Sequence, residues 1–62
     1  MKHYGVYEVD GTEKMVFERK REGKATEYYV EWNGLWREVE KVWTDKDDLT
    51  FKMIIDGEWE GW

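Results

Sequence analysis

Three two-residue turn signals constrain the fold of this chain more than any other feature. Asp10-Gly11, Asn33-Gly34 and Asp56-Gly57 begin at positions 10, 33 and 56 and share one spacing. Asp, Asn and Gly tolerate the positive φ angles of a type I′ turn, so each dipeptide favours a tight hairpin. Looser turns are predicted between them, at residues 21–24 and 44–48. The chain is therefore predicted to form three β-hairpins in tandem.

The segments between these turns are rich in Val, Ile, Tyr, Trp, Phe and Thr, which is typical of strands. A helix over 35–43, where Trp36, Val39 and Trp43 have helical spacing, would need tertiary support, and we favour a strand there. We predict an all-β single domain over 1–62, an antiparallel six-stranded meander curled into a small barrel. An open sheet that dimerises through an aromatic face is the alternative. The predicted strands are 3–9, 12–20, 25–32, 35–43, 49–55 and 58–62.

Two-residue turns set strand register, and register assigns side chains to faces. Across the first turn, Val6 is predicted opposite Met15 and Tyr4 opposite Phe17, which makes one strongly apolar face. Across the other turns, the predicted pairs are Trp32–Leu35, Val30–Arg37, Tyr28–Val39, Ile55–Glu58, Met53–Glu60 and Phe51–Trp62. The predicted core is Tyr4, Val6, Met15, Phe17, Tyr28, Val30, Trp32, Leu35, Val39, Leu49, Phe51, Met53 and Ile55.

The opposite face is predicted to mix large aromatic residues with carboxylates. Such a mixture favours a protein partner, either basic or a second copy of the chain. Cross-strand aromatic pairs that only stabilise a thin sheet, in a natural or designed scaffold, explain the same residues. The candidate binding residues on this face are Tyr7, Tyr29, Trp36 and Trp59. Their predicted neighbours are Val9, Val16, Ile54, Glu8, Glu13, Glu27, Glu31, Glu38, Glu40 and Lys52.

Charge and hydropathy argue against several kinds of partner. The net charge is −5, which makes duplex nucleic acid an improbable ligand. A single-stranded nucleic-acid binder stays open as an alternative, because exposed aromatic rings stack on bases. Its basic cluster would be Arg19, Lys20, Arg21 and Lys24. No apolar stretch approaches the roughly 18 residues of a membrane span, and no signal peptide is recognisable. We expect a cytoplasmic protein.

Residues that carry catalysis or bind metals are scarce. The chain has no Cys and no Ser, and His3 is its only histidine. Thiol and serine nucleophiles are therefore excluded, and no zinc site, cofactor or enzymatic activity is expected. The absence of Ser, Gln, Pro and Cys, together with abundant Glu and Lys, is typical of hyperthermophile proteins and of idealised designed sequences alike.

One stretch resembles a known family. The segment 27–34, Glu-Tyr-Tyr-Val-Glu-Trp-Asn-Gly, is similar to the strand-turn signature of chromodomains, and 43–49 has the spacing of their Trp-acidic-Leu segment. With the turn at 21–24, the resemblance covers about residues 13–49. It implies a small SH3-like barrel and, for the family, a methylated lysine bound in an aromatic cage. Trp32 matches the cage tryptophan, and Leu35 stands where the family has an aromatic residue.

Overall fold

The described part of the chain is all-β, as predicted, and segment 35–43, which could also have been a helix, is a strand. The structure, a computed structural model, describes residues 1–55 and the strand backbone of residues 59–61. Within that part of the chain there is no helix. The strands are β1 (Lys2–Val9), β2 (Thr12–Arg19), β3 (Glu27–Trp32), β4 (Leu35–Trp43), β5 (Leu49–Met53) and β6 (Trp59–Gly61).

The first two hairpin turns adopt the backbone that their residues favour. Asp10 and Gly11 have φ angles of 49° and 85°, and Asn33 and Gly34 have 53° and 80°. Two successive residues at positive φ are the mark of a type I′ turn, whose twist matches that of the strands on either side. These turns set the registers β1–β2 and β3–β4. The predicted pairs Val6–Met15, Trp32–Leu35, Val30–Arg37 and Tyr28–Val39 are all confirmed.

Five strands form the closed barrel. They are hydrogen-bonded in the order β3-β2-β1-β5-β4, and β4 pairs with β3 to close the ring. Consecutive strands are antiparallel, so the first and fifth strands of the meander point the same way. They accordingly meet as a parallel pair, at Val9 and Phe51. The backbone N–H of Asp10 donates to the Phe51 carbonyl at 3.2 Å, and the Met53 N–H donates to Asp10 Oδ2 at 3.1 Å. The predicted meander barrel is confirmed, with five strands instead of six.

The sixth predicted strand does not pair with β5, and the third predicted hairpin is wrong. Met53 is opposite Val39, whereas Glu60 is opposite Trp36. The short β6 therefore follows β5 along the same edge of β4 and in the same direction. The reason is length, since β5 pairs with β4 only from Val39 onward and leaves the first half of that edge open. The turn residues Asp56-Gly57, with Glu58 and Trp62, lie outside the described residues.

The core lies on the inner face of the barrel. Its fully buried cluster consists of Val9, Val16, Val30, Val39 and Phe51. Partly buried residues pack against this cluster: Tyr4, Tyr7, Tyr28, Leu49 and Met53. The predicted core is thus right for seven positions: Tyr4, Tyr28, Val30, Val39, Leu49, Phe51 and Met53. The prediction that Val9, Val16 and Tyr7 lie on the opposite face is wrong, because all three are part of the core.

A β-bulge explains why Tyr4 and Val6, which were predicted on one face, lie on opposite faces. The register of β1 shifts between His3 and Gly5, so that His3, and not Tyr4, is opposite Phe17. The extra residue turns Tyr4 inward, where its ring meets Tyr28 at 5.0 Å between centroids. Beyond the bulge, Val6 and Met15 point outward and are 53% and 57% exposed. Their predicted place in the core is wrong.

Four further residues of the predicted core lie at the surface. Trp32 and Leu35 are each 38% exposed, and Ile55 is 89% exposed. Trp32 and Leu35 flank the tip of the β3–β4 hairpin, beyond the point where β2 stops pairing with β3. Ile55 follows the end of β5. Phe17 is half-buried and lies on the outer face beside Met15.

Candidate interaction surface on the outer face

Tyr29, the first candidate binding residue, is on the outer face but has no exposed surface. The guanidinium carbon of Arg19 lies 4.8 Å from the centre of its ring, and Arg19 Nη2 donates a 2.6 Å hydrogen bond to the Tyr29 hydroxyl. That hydroxyl also lies 3.3 Å from Glu27 Oε2, to which it donates. A ring covered in this way stabilises the sheet, and its predicted exposure is wrong.

Glu27 is the centre of this polar cover. Arg21 donates two hydrogen bonds to its carboxylate, at 2.8 and 2.7 Å, and Arg19 Nε lies 3.5 Å from Oε1. The hydrogen bond from Arg21 holds the pKa of Glu27 below its ordinary value, and the charges of both arginines act in the same direction, against partial burial. Two of the four cations in the predicted nucleic-acid cluster are thus engaged by one carboxylate within the chain.

Of the other three candidates, Tyr7 and Trp36 lie on opposite faces of the barrel. Tyr7 is on the inner face, with its ring 5.6 Å from Tyr4 and 5.3 Å from Phe51, centroid to centroid. Trp36 is half-buried on the outer face, edge-on to Phe17 at 4.9 Å. The backbone of Trp59 is in β6, opposite Arg37, and its side chain is outside the described part of the chain. The described side chains of Tyr7, Tyr29 and Trp36 therefore do not form one site.

A different set of apolar residues shares the outer face. Val6 and Met15 are cross-strand partners, Phe17 follows on the same side of β2, and Trp36 packs against Phe17. We call Val6, Met15, Phe17 and Trp36 the outer patch. Val6, Met15 and Phe17 were predicted in the core. Gly5 is a sequence signal that Tyr4 and Val6 lie on opposite faces, because an isolated glycine within a strand pattern suggests a bulge.

Carboxylates border the outer patch. Glu8 and Glu13 are direct cross-strand partners, next to the Val6–Met15 pair, and both are exposed. Neither forms an ion pair with any residue in the described part of the chain. Like charges directly opposite each other destabilise a sheet. On the other side, Glu31 is opposite Trp36 and accepts a 2.9 Å hydrogen bond from the Gly34 N–H.

A groove opens beside the patch, where β2 and β3 diverge. Their ladder consists of three pairs and ends at Phe17–Tyr29. Beyond it, Lys14, Met15, Phe17 and Glu31 line an open groove of about 330 Å³. The Lys14 ammonium lies 4.9 Å from the centre of the Trp32 ring and so spans the divergence. This cation–π contact bridges β2 and β3 across the groove mouth.

A second lysine is held by aromatic rings at another part of the barrel. The Lys41 ammonium is 5.1 Å from the Tyr4 ring centre and 4.9 Å from that of Tyr28. Hydrogen bonds to the hydroxyls of Tyr4 and Tyr28 raise the pKa of Lys41. Because β4 is thereby tied to β1 and β3, we assign this cluster to barrel stability.

Other features restrict the chemistry of the surface. Within the described residues, no three His, Asp or Glu side chains are arranged to hold a metal ion. In the same residues, no helix is long and apolar enough to cross a bilayer. Comparison with protein-family models, with curated protein sequences and with solved structures found no match for this chain.

Proposed function

We propose that the protein is a non-catalytic interaction module that binds a basic, partly apolar segment of another protein through the outer patch. The observation that carries this proposal is the exposed Val6–Met15 pair next to the opposed carboxylates Glu8 and Glu13. More than half of each apolar side chain is in water, on a sheet whose other face holds the core.

A basic, partly apolar partner would cover the exposed apolar pair and compensate the charge of the two carboxylates. Covering apolar surface contributes about 25 cal/mol for each Å² removed from water. A Lys or Arg side chain placed between Glu8 and Glu13 would replace their repulsion by attraction. The charge pattern would also accelerate encounter with a basic partner, in a salt-dependent manner.

Self-association through the same surface is disfavoured by charge. In a two-fold dimer each patch would face its own copy, with Glu8 and Glu13 near their equivalents, and the chain carries a net charge of −5. Single-stranded nucleic acid is disfavoured as well, because Arg19 and Arg21 are engaged by Glu27.

The five-strand barrel is consistent with the SH3-like architecture that the chromodomain resemblance implies. The family's methylated-lysine ligand is not what we propose. Trp32, the residue that matches the cage tryptophan, already holds the ammonium of Lys14 at 4.9 Å, and Leu35 stands at the next cage position. A cation–π cage needs several ring faces around one ammonium.

The test is a selection of random twelve-residue peptides displayed on phage, against the wild-type protein and two variants. Met15→Thr removes the most exposed member of the outer patch. Val42→Thr is the matched control, because Val42 is opposite Thr50 in β4–β5 and away from the patch. Urea unfolding of all three proteins establishes that each is folded.

We expect enriched peptides that combine Lys or Arg with aliphatic residues. They should bind the wild-type protein and Val42→Thr equally, and Met15→Thr about tenfold more weakly. Enrichment of acidic or uncharged peptides, or equal binding by Met15→Thr, would contradict the proposal. Enrichment of no peptide would favour a scaffold whose aromatic residues only serve folding.

A further inference from the structure

The edges of β2 and β3 that face the groove lack a partner strand beyond the Phe17–Tyr29 pair. Val16 and Val30 are fully buried there, so the accessible residues are 12–15 of β2 and 31–32 of β3. β2 runs from Thr12 to Arg19 but pairs with β3 only from Phe17 onward, and Val30–Trp32 of β3 pair only with β4. In the described part of the chain, no backbone hydrogen bond joins residues 12–16 to residues 30–32. An open strand edge presents a row of N–H and C=O groups to any extended chain that reaches it.

The groove between these edges has the chemistry of a strand site. Met15 and Phe17 give it an apolar wall that is continuous with the outer patch, and Glu31 stands on the opposite wall. Glu13 precedes Met15 by two residues on the same face of β2. Glu13, Met15, Phe17 and Glu31 all belong to the outer face of the sheet. An added chain in which Lys alternates with an aliphatic residue would place every Lys on one side of the extended sheet. With the Lys side chains on the outer face, their ammonium groups would lie beside the two carboxylates and their stems on the apolar wall.

Lys14 covers this edge in the free protein. Its stem crosses the groove and its ammonium rests on Trp32. Lysine on an exposed edge is a common protection against unwanted strand pairing, and a flexible side chain can be displaced. Displacement would break a single cation–π contact.

We infer that the partner binds as an extended strand added to the β2 edge in this groove, with the Lys14 ammonium displaced from Trp32. The inference rests on the proposed function and specifies the conformation of the partner. Main-chain hydrogen bonds to β2 would supply affinity, while Glu13 and Glu31 would select basic side chains. Strand addition here would extend the sheet on β2 where its ladder with β3 has ended.

The test uses the peptide acetyl-Lys-Val-Lys-Val-Lys-Val-Lys-amide and two N-methylated forms of it. One form is methylated at the valine amides and the other at the internal lysine amides. Successive N–H groups of an added strand point alternately toward β2 and away from it. We therefore expect one methylated form to lose at least tenfold in affinity, and the other to keep the affinity of the parent peptide within about threefold.

Amide hydrogen exchange gives an independent measurement. The parent peptide should slow exchange at Glu13 and Met15, whose N–H groups point away from β1, and leave Lys14 and Lys52 unchanged. If both methylated forms bind like the parent, or both fail, strand addition is wrong while the outer patch remains the binding surface. If the parent peptide itself does not bind, the proposed function fails together with the inference.

A pair of variants tests the displacement of Lys14. Lys14→Met keeps the stem and removes the ammonium that rests on Trp32, and Lys20→Met removes the same charge from an exposed site at the end of β2. We expect Lys14→Met to bind the parent peptide several-fold more tightly, and Lys20→Met to change affinity less than twofold. Equal effects of the two variants would overturn the role of Lys14, because only net charge would then matter.

Discussion

The two faces of the β1–β2 hairpin are built from the same kinds of residue and have opposite fates. On the inner face, Val9 and Val16 are fully buried against Phe51 and its neighbours. On the outer face, Val6 and Met15 are more than half exposed. Residue type therefore does not determine burial in this hairpin. The face that closes on the rest of the barrel becomes the core, and an equally apolar face is left for other contacts.

This difference has an energetic consequence. Inner-face side chains are enclosed on all sides, so a change in their shape leaves a void or a strained contact. Outer-face side chains contribute to sheet formation through cross-strand contacts worth only a few tenths to one kcal/mol per pair. Substitutions on the two faces should therefore have very different effects on the free energy of unfolding.

The largest expected effect is that of truncation on the inner face. Phe51→Ala removes the largest side chain of the buried cluster and should lower the free energy of unfolding by about 3–5 kcal/mol. Met15→Ala should change it by no more than about 0.5 kcal/mol, as is usual for surface positions. Urea denaturation followed by tryptophan fluorescence measures both. Similar losses in the two variants would show that the faces do not differ in this way.

Two isosteric substitutions sharpen the comparison within one hairpin. Val16→Thr places a hydroxyl in the core and should cost about 1–3 kcal/mol. Val6→Thr keeps a β-branched side chain on an exposed strand and should be neutral within about 0.5 kcal/mol. The difference between the two midpoints in urea is the quantity to compare. A neutral Val16→Thr variant would mean that water reaches the inner face.

The bulge that separates the faces lies beside Gly5. A Cβ atom at Gly5 would lie 2.7 Å from Cε2 of Tyr7, whose ring is held between Tyr4 and Phe51. Gly5→Ala should therefore cost about 1 kcal/mol or more through overpacking. Tyr7→Leu withdraws the ring, so the same Gly5→Ala change should cost less in that background. Purely additive effects in the double variant would exclude contact with Tyr7 as the cause.

The smallest effect concerns the polar cover of Tyr29 on the outer face. The pKa of Glu27 is lowered in the folded protein, so its contribution to stability is present above its ordinary pKa of 4.5 and is lost as the pH falls through the lowered value. Glu27→Gln should therefore reduce the loss of stability in that acid range. Glu22→Gln controls for the removal of one negative charge. Superimposable profiles of stability against pH for Glu27→Gln and the wild-type protein would contradict this assignment.

Local features of the fold were predictable because they depend on neighbouring residues. Asp10-Gly11 and Asn33-Gly34 adopt their turns through their own backbone preferences, and the pairs Val6–Met15 and Tyr28–Val39 follow by counting. The candidate site was predictable only in part. Trp36 is on the outer face as predicted, whereas Tyr29 is covered by Arg19, a contact between side chains of adjacent strands that no turn specifies.

Sequence alone was enough to predict the all-β class, the first two hairpins and the apolar character of both faces of β1–β2. It also predicted the β3–β4 register, and the β1–β2 register from the turn as far as the bulge at Tyr4. Only the tertiary structure decided which face became the core, that β6 follows β5 along β4, and that the barrel closes with five strands. Turn geometry and the alternation of side chains between the two faces of a strand depend on only a few neighbouring residues. Which face of β1–β2 becomes the core depends on the bulge at Tyr4 and on contacts such as Val9–Phe51. These contacts join distant segments only when the barrel closes.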